Sequence, residues 1–208
     1  MDLANIRKVA LVGRANSGKD TVAKLIAKKL CRITYEHSRM LAFADPIKEM
    51  AMVMFPWADP RCFYGSSNLR NNIIPNAFDK EGKPLTYRQI LIDIGEDGRM
   101  RDRDHWVKVF DYEFQKLSNC ISEGYYNELP IKLIVATDVR YPNEFTYLSE
   151  KKFFIIKLQR NTELINNHDS ETSISKIKNE ECNFVIDNDG TIEELDAKIS
   201  RMITSWGE

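Results

Sequence analysis

Cysteine, histidine, long apolar runs and an excess of one charge are all scarce in this chain of 208 residues. Each scarcity closes off a class of function. The four cysteines, Cys31, Cys62, Cys120 and Cys182, stand far apart and form no C-x-x-C pair. No nearby His completes a zinc site either, so dispersed free thiols in a reducing compartment are expected. The three histidines, His37, His105 and His168, are equally scattered, which speaks against an all-protein metal cage. Against 30 Lys and Arg stand 31 Asp and Glu, a formal net charge of −1. No global positive field exists to coat a long polyanion, although a local basic site remains allowed. No apolar run nears the roughly 20 residues that span a bilayer. The apolar stretch in MDLANIRKVALVG is also short for a signal peptide. Together these absences predict a soluble, cytoplasmic protein. There is no internal repeat or low-complexity segment either.

What is present is apolar mass in a regular order. Hydrophobic residues make up 43% of the chain and aromatics 10%, enough for a sizeable core. Lys8 to Val12 is a short continuous apolar run, the pattern of a strand buried on both faces. A glycine-rich segment follows, and then Val22, Leu25, Ile26 and Leu30 at helical spacing. A second strand is expected near Ile33 to His37. A helix should open at Asp45-Pro46, with Asp45 as N-cap, and run to about Phe55. Residues 56–84 show little periodicity and read as a long irregular excursion. Helices are predicted from Thr86 and from Asp104, then a connector over Gly124 to Pro130. Ile131 to Ala136 and Phe153 to Leu158 read as strands, with a helix from Pro142 between them. A polar stretch, Asn161 to Glu181, precedes a short strand at Asn183 to Ile186. Thr191 should cap a closing helix, with Glu194 three residues later as its box partner. Strands alternating with helices predict an α/β fold, a central parallel sheet covered on both faces.

Gly13 to Lys19 fits G-x-x-x-x-G-K, between the first strand and the first helix. This is the phosphate-binding pattern, and its order is chemical. Glycines let backbone N–H groups approach phosphate oxygens, the helix N-terminus adds partial positive charge, and Lys19 reaches the β- and γ-phosphates. Gly13, Asn16, Ser17, Gly18, Lys19, Asp20 and Thr21 are therefore candidate ATP-binding residues. The position after the lysine carries Asp20, where Ser or Thr is usual. A carboxylate there can meet Mg²⁺ directly or through water, or it can simply favour the helix N-terminus.

Several further segments occur in a fixed order. They are Gly18-Lys19-Asp20-Thr21, Ala42 to Lys48 (AFADPIK), and Arg88 through Gly95 to Arg99 ahead of Trp106-Val107. Asp138 to Glu144 (DVRYPNE) and Val185-Ile186-Asp187-Asn188 with Gly190-Thr191 complete the set. Together they closely resemble phage deoxynucleoside monophosphate kinases over nearly the whole chain. The resemblance implies a P-loop NTPase-type three-layer α/β/α fold with a helical acceptor-binding insertion and a lid. It also implies transfer of the γ-phosphoryl of ATP to a deoxynucleoside 5′-monophosphate, with Mg²⁺. One kinase domain is expected: a core of 1–36 and 131–208, an insertion of about 37–130, and a lid of about 160–181. The match is poorest over 56–84.

Two anionic substrates must meet, so arginines should converge from several segments. Arg88, Arg99, Arg140 and Arg160 are the candidates, with Lys19, Arg99, Arg140 and Arg160 as the catalytic set. Arg101 and Arg103 lie in a mixed-sign run and read as a solvated face. Arg140 should clamp the acceptor phosphate, while Asp138 either holds the metal's water shell or faces the acceptor. Asp20 and Asp138 are the candidate metal residues. Glu144 should orient an arginine or touch the acceptor sugar or base. Phe43 is a candidate for stacking on the base, whereas the helical apolar pattern around Trp106 favours the core. Asn188 should line the adenine, mainly through backbone. His168, Ser170 and Glu171 resemble a short family motif in the lid.

The expected partners are ATP and a deoxynucleoside monophosphate, with no membrane and no long nucleic acid. A homodimer is left open, and so is the host cytoplasm if the chain is phage-encoded. Two other readings stay open. One is a P-loop kinase acting on another small acceptor or a modified base. The other is a nucleotide-dependent ATPase or switch.

Overall fold

The computed structural model describes residues 6–31, 37–123, 131–161 and 172–206. Its strands are β1 (Arg7–Val12), β2 (Ser38–Leu41), β3 (Ile73–Phe78), β4 (Pro84–Thr86), β5 (Leu133–Val139), β6 (Phe154–Gln159) and β7 (Phe184–Asp187). Its α-helices are α1 (Lys19–Cys31), α2 (Asp45–Met54), α3 (Pro60–Tyr64), α4 (Tyr87–Arg101), α5 (His105–Ser122), α6 (Pro142–Glu150) and α7 (Ile192–Trp206). The chain forms two compact units, Met1–Ala42 with Phe110–Glu208, and Phe43–Val109.

The first unit is built on a five-stranded sheet in the order β2–β5–β1–β6–β7. Every pairing in it is parallel. The KVALV run forms the middle strand because it has apolar side chains for both faces. Val9 and Leu11 join Leu133, Val135, Ile156 and Leu158 in packing against α1 and α7. The alternate residues Ala10, Val12, Ile134, Ala136 and Ile155 are buried too, so the opposite face is also covered. Helix α6 packs against β6 but takes no part in the α1–α7 cluster, which places it in that third layer. Its Tyr147 hydroxyl donates to Asp111 of α5 at 2.6 Å. Burial and that carboxylate push the Tyr147 phenol far above its ordinary range. Among the described residues no helix is long and apolar enough to cross a membrane.

One irregularity marks the sheet. Ala10 pairs with Ala136, but Val12 pairs with Val139, so the β1–β5 register slips between them. The extra residue on β5 makes a bulge beside Thr137 and Asp138, a device that re-aims neighbouring side chains.

The second unit holds α2, α3, α4, the start of α5 and an antiparallel β3–β4 hairpin. Its core gathers Ile47 and Ala51 of α2, Phe63 of α3, Ile74 of β3, and Ile90, Ile94 and Trp106. The Trp106 Nε1–H donates to the Gly95 carbonyl at 2.8 Å. The indole ring fits because Gly98 has no Cβ: one there would lie 2.7 Å from ring carbons of Trp106.

Two expectations from the sequence need correction, and a third, the strand near Ile33 to His37, falls mostly outside the described residues. Residues 56–84 are not irregular; they contain α3, a 3₁₀ turn at Ser67–Asn71 and the hairpin. The hairpin escaped notice because β3 buries only Ile74 and Ala77, three apart, with Asn76 between them at φ 57°. That interruption removes the alternation by which a strand is recognised. The second strand is Ser38–Leu41, starting after His37; residues 32–36 lie outside the described residues. Asp45 is not the N-cap of α2. It lies inside the first turn, after Ala44, and its carboxylate takes Lys48 Nζ at 2.7 Å. By contrast the Thr191–Glu194 box is in place, with bonds of 3.0 and 3.2 Å.

Gly98→Ala sets two effects against each other. A mid-helix alanine gains about 1 kcal/mol over glycine, whereas overpacking costs about 1–3 kcal/mol. The indole is tethered through Gly95 and cannot retreat, so overpacking should win. A urea melt should show a net loss on the order of 1 kcal/mol; an unchanged or raised midpoint would contradict this packing.

Candidate functional site

Because every strand of the sheet runs the same way, the residues following their carboxyl ends share one edge. Gly13 follows β1, Arg140 follows β5, Arg160 follows β6 and Asn188 follows β7. Strand β1 lies between β5 and β6, so Gly13 has Arg140 on one flank and Arg160 on the other. Adjacent strands are about 4.8 Å apart, so these positions form one neighbourhood. It is also where open α/β sheets hold their ligands.

The Gly13–Lys19 loop has the backbone that its composition predicts. Asn16 lies at φ 60° and Gly18 at φ 94°. Gly13 is needed for space, since a Cβ there would lie 2.6 Å from Ser17 Oγ. At Gly18 a Cβ would meet Asn188 Nδ2 at 2.3 Å, which excludes any side chain. Helix α1 begins at Lys19, and its first-turn amides point toward the loop. Lys19 is 8% exposed. Its ammonium bridges the loop, donating to the Gly13 and Arg14 carbonyls at 2.6 Å each.

Ser17 is 1% exposed, and its hydroxyl has no hydrogen-bond partner among the described residues. A buried polar group left unsatisfied costs about 1–3 kcal/mol. The orphan hydroxyl belongs to the same loop whose Gly13 and Arg14 carbonyls hold the Lys19 ammonium, and an oxyanion such as a phosphate is an acceptor of the kind it lacks. Asp20 and Thr21 are exposed in the first turn of α1.

The β5 exit is held from behind. Glu144, buried at the start of α6, accepts the backbone N–H of Arg140 at 2.8 Å and of Tyr141 at 3.0 Å. It therefore orders the backbone that carries Arg140. Asp138 and Arg140 themselves are half-buried. At the β6 exit Arg160 is exposed, and the next residue is anchored. Asn161 donates through its backbone N–H to Asp189 at 2.7 Å and through Nδ2 at 2.8 Å. His168, Ser170 and Glu171 lie outside the described residues.

The remaining candidates belong to the second unit. Arg88 is committed to its own neighbourhood, donating to Asn71 Oδ1 at 2.8 Å and to the Ser67 carbonyl at 2.9 Å. It shapes the 67–71 turn. Arg99 lays its guanidinium over Gly95, with Nη1 3.1 Å from where a Cβ would stand. Phe43 is buried, and Trp106 is a core residue. Arg101 and Arg103 are exposed.

A model of the deoxynucleotide monophosphate kinase family matches residues 64–199. The chain belongs to that family. It is a phosphotransferase of the nucleotide monophosphate kinase type, built on a parallel α/β sheet. The chain is also 26% identical over 196 residues to a candidate deoxynucleotide monophosphate kinase of Acanthamoeba polyphaga mimivirus. That alignment covers 92% of this chain and 93% of the viral protein. Among solved structures it is similar to a shikimate kinase from Acinetobacter baumannii in complex with shikimate, at 17% identity and TM-score 0.42. That match covers 98% of this chain and 96% of the other. A dephospho-CoA kinase from Campylobacter jejuni is 15% identical, with TM-score 0.42 and 94% of each chain covered. The Gly13–Lys19 loop precedes the residues matched by the family model.

Sequence reasoning missed three features of this kinase: the orphan Ser17 hydroxyl, the Asp189–Asn161 tie, and the side-chain role of Asn188. Asn188 Nδ2 bonds Ser17 across 171 residues of chain, and no local pattern reports such a pair. For Glu144→Ala the loss is two amide partners at a buried turn, a destabilisation of about 2 kcal/mol. Denaturant melts should show it, and a cost under about 0.5 kcal/mol would mean the turn is held by other means.

Proposed function

We propose that this kinase transfers the γ-phosphoryl group of ATP to a deoxynucleoside 5′-monophosphate, giving the diphosphate and ADP. The single observation that carries the donor side is the buried, unpartnered Ser17 hydroxyl within the loop that Lys19 spans. Family membership supports the acceptor class.

In this reading an oxygen of the acceptor phosphate attacks the γ-phosphorus, and the bond to the β–γ bridging oxygen breaks. No carboxylate base is needed, because the monophosphate oxygen is already ionised near pH 7. Catalysis is then alignment plus charge neutralisation. Lys19 leaves its loop carbonyls for the β- and γ-phosphates, and the loop amides with Ser17 Oγ take the remaining oxygens. Arg140, on backbone ordered by Glu144, clamps the acceptor phosphate, and Arg160 covers the transferring group. Arg88 contributes by shaping the 67–71 turn, and the burial of Phe43 favours packing over base stacking.

Among the described residues no group of three or more His, Cys, Asp or Glu could cage a metal. Mg²⁺ in phosphoryl transfer takes most of its ligands from phosphates and water, with one or two carboxylates. The exposed Asp20 and the half-buried Asp138 fit that need. Mg²⁺ supplies charge neutralisation of the β- and γ-phosphates when bound.

Purified protein with ATP, Mg²⁺ and each deoxynucleoside monophosphate, modified pyrimidines included, should form ADP with at least one acceptor. Silence across the panel would refute the acceptor class, and ATP hydrolysis without an acceptor would favour an ATPase. Lys19→Ala should lower kcat by on the order of 100-fold or more, and unchanged turnover would remove the phosphate-loop assignment. Arg140→Ala should raise the acceptor KM; an effect confined to the ATP KM would contradict its placement.

A further inference from the structure

Asn188 follows the last strand of the sheet, and its side chain is turned back onto the phosphate loop. It is 7% exposed. Nδ2 donates to the Ser17 carbonyl at 2.8 Å, and the Asn188 backbone N–H donates to the Gln159 carbonyl at 2.8 Å. The backbone bond fixes where the residue stands, and the side-chain bond fixes what it holds. Its neighbour Asp189 accepts both donors of Asn161, so the junction between β6 and β7 is braced on two sides.

The held carbonyl belongs to the peptide between Ser17 and Gly18. All peptide bonds of the described residues are trans. Across a trans peptide the C=O and N–H point in opposite directions. Drawing the Ser17 carbonyl toward Asn188 therefore turns the Gly18 N–H the other way, away from Asn188. Gly18 is held at φ 94° for this arrangement, and it has no Cβ to obstruct the amide that approaches it.

We infer that Asn188 is a positioning residue for the donor nucleotide. By capturing the Ser17 carbonyl it presets the Gly18 N–H as a phosphate donor before ATP arrives. This gives its side chain a task distinct from lining the adenine, and it rests on the reading of the loop as an ATP site. A preset amide costs no reorganisation when the anion binds, which is how fixed dipoles gain their effect. Without Nδ2 the peptide is free to rotate, and the buried Ser17 carbonyl loses its partner.

The test compares wild type with Asn188→Leu, a near-isosteric side chain that cannot donate, and with Asn188→Ala. ATP and the best deoxynucleoside monophosphate are titrated separately by calorimetry, and the Gly18 amide is followed by NMR. The variants should bind ATP about tenfold or more weakly while the acceptor Kd stays within twofold. The shift of the Gly18 amide on adding ATP should shrink in both. If Asn188→Leu does not fold, Asn188→Ala carries the comparison, since it leaves room for water. An unchanged ATP Kd in a folded variant overturns the inference alone, as does an equal loss for both ligands. Failure of wild type to bind ATP overturns the nucleotide reading, and this inference with it.

Discussion

Strand β1 is hydrogen-bonded on both edges, to β5 and to β6, and both of its faces are buried. A strand in that position cannot slip by one residue without exchanging every side chain between two different cores. Its carboxyl end is therefore fixed, and Gly13 leaves the sheet at a point set by the whole first unit. Since the neighbouring strands run parallel, their exits collect at the same edge. Arg140, Arg160 and Asn188 inherit their places from that arrangement. The bulge on β5 adjusts it locally, where Asp138 leaves the strand.

Within the loop the decisive constraint is close approach. Gly13 and Gly18 are required because Ser17 Oγ and Asn188 Nδ2 occupy the space where side chains would stand. The loop is thus closed from outside by Asn188 and spanned from inside by Lys19. In this loop Ser17 Oγ has no partner among the described residues. A small anion would satisfy that hydroxyl, and the proposed donor site follows from this need. Helix α4 repeats the principle in the second unit. There Gly98 admits the Trp106 indole, and Gly95 makes room for the Arg99 guanidinium while giving its carbonyl to Trp106.

The elements that could be read in advance were those with strong periodicity or a local chemical signature. The buried strands, the glycine-rich loop between β1 and α1, the Thr191–Glu194 box and the helix from Pro142 all carry their signal within a few residues. The β3–β4 hairpin did not, because Asn76 breaks the alternation and only two side chains of β3 turn inward. Arg88 illustrates a different limit. Its residue type and its place in the resemblance suggest a ligand contact, and its bonds to Asn71 and Ser67 are a second task that no local pattern reports.

The sequence by itself determined the class of fold, the strand–glycine loop–helix order around Gly13–Lys19 and the kinase family, because these depend on patterns that are local along the chain. It also determined a near-neutral chain of 30 basic and 31 acidic residues. Only the tertiary structure decided which side chain holds which backbone group. Glu144 under Arg140, Asp189 under Asn161 and Asn188 on Ser17 are such pairs, the last separated by 171 residues. Hydrogen bonds form between atoms a few ångströms apart in space, and distance along the chain carries no information about that once a parallel sheet has brought its strand ends together.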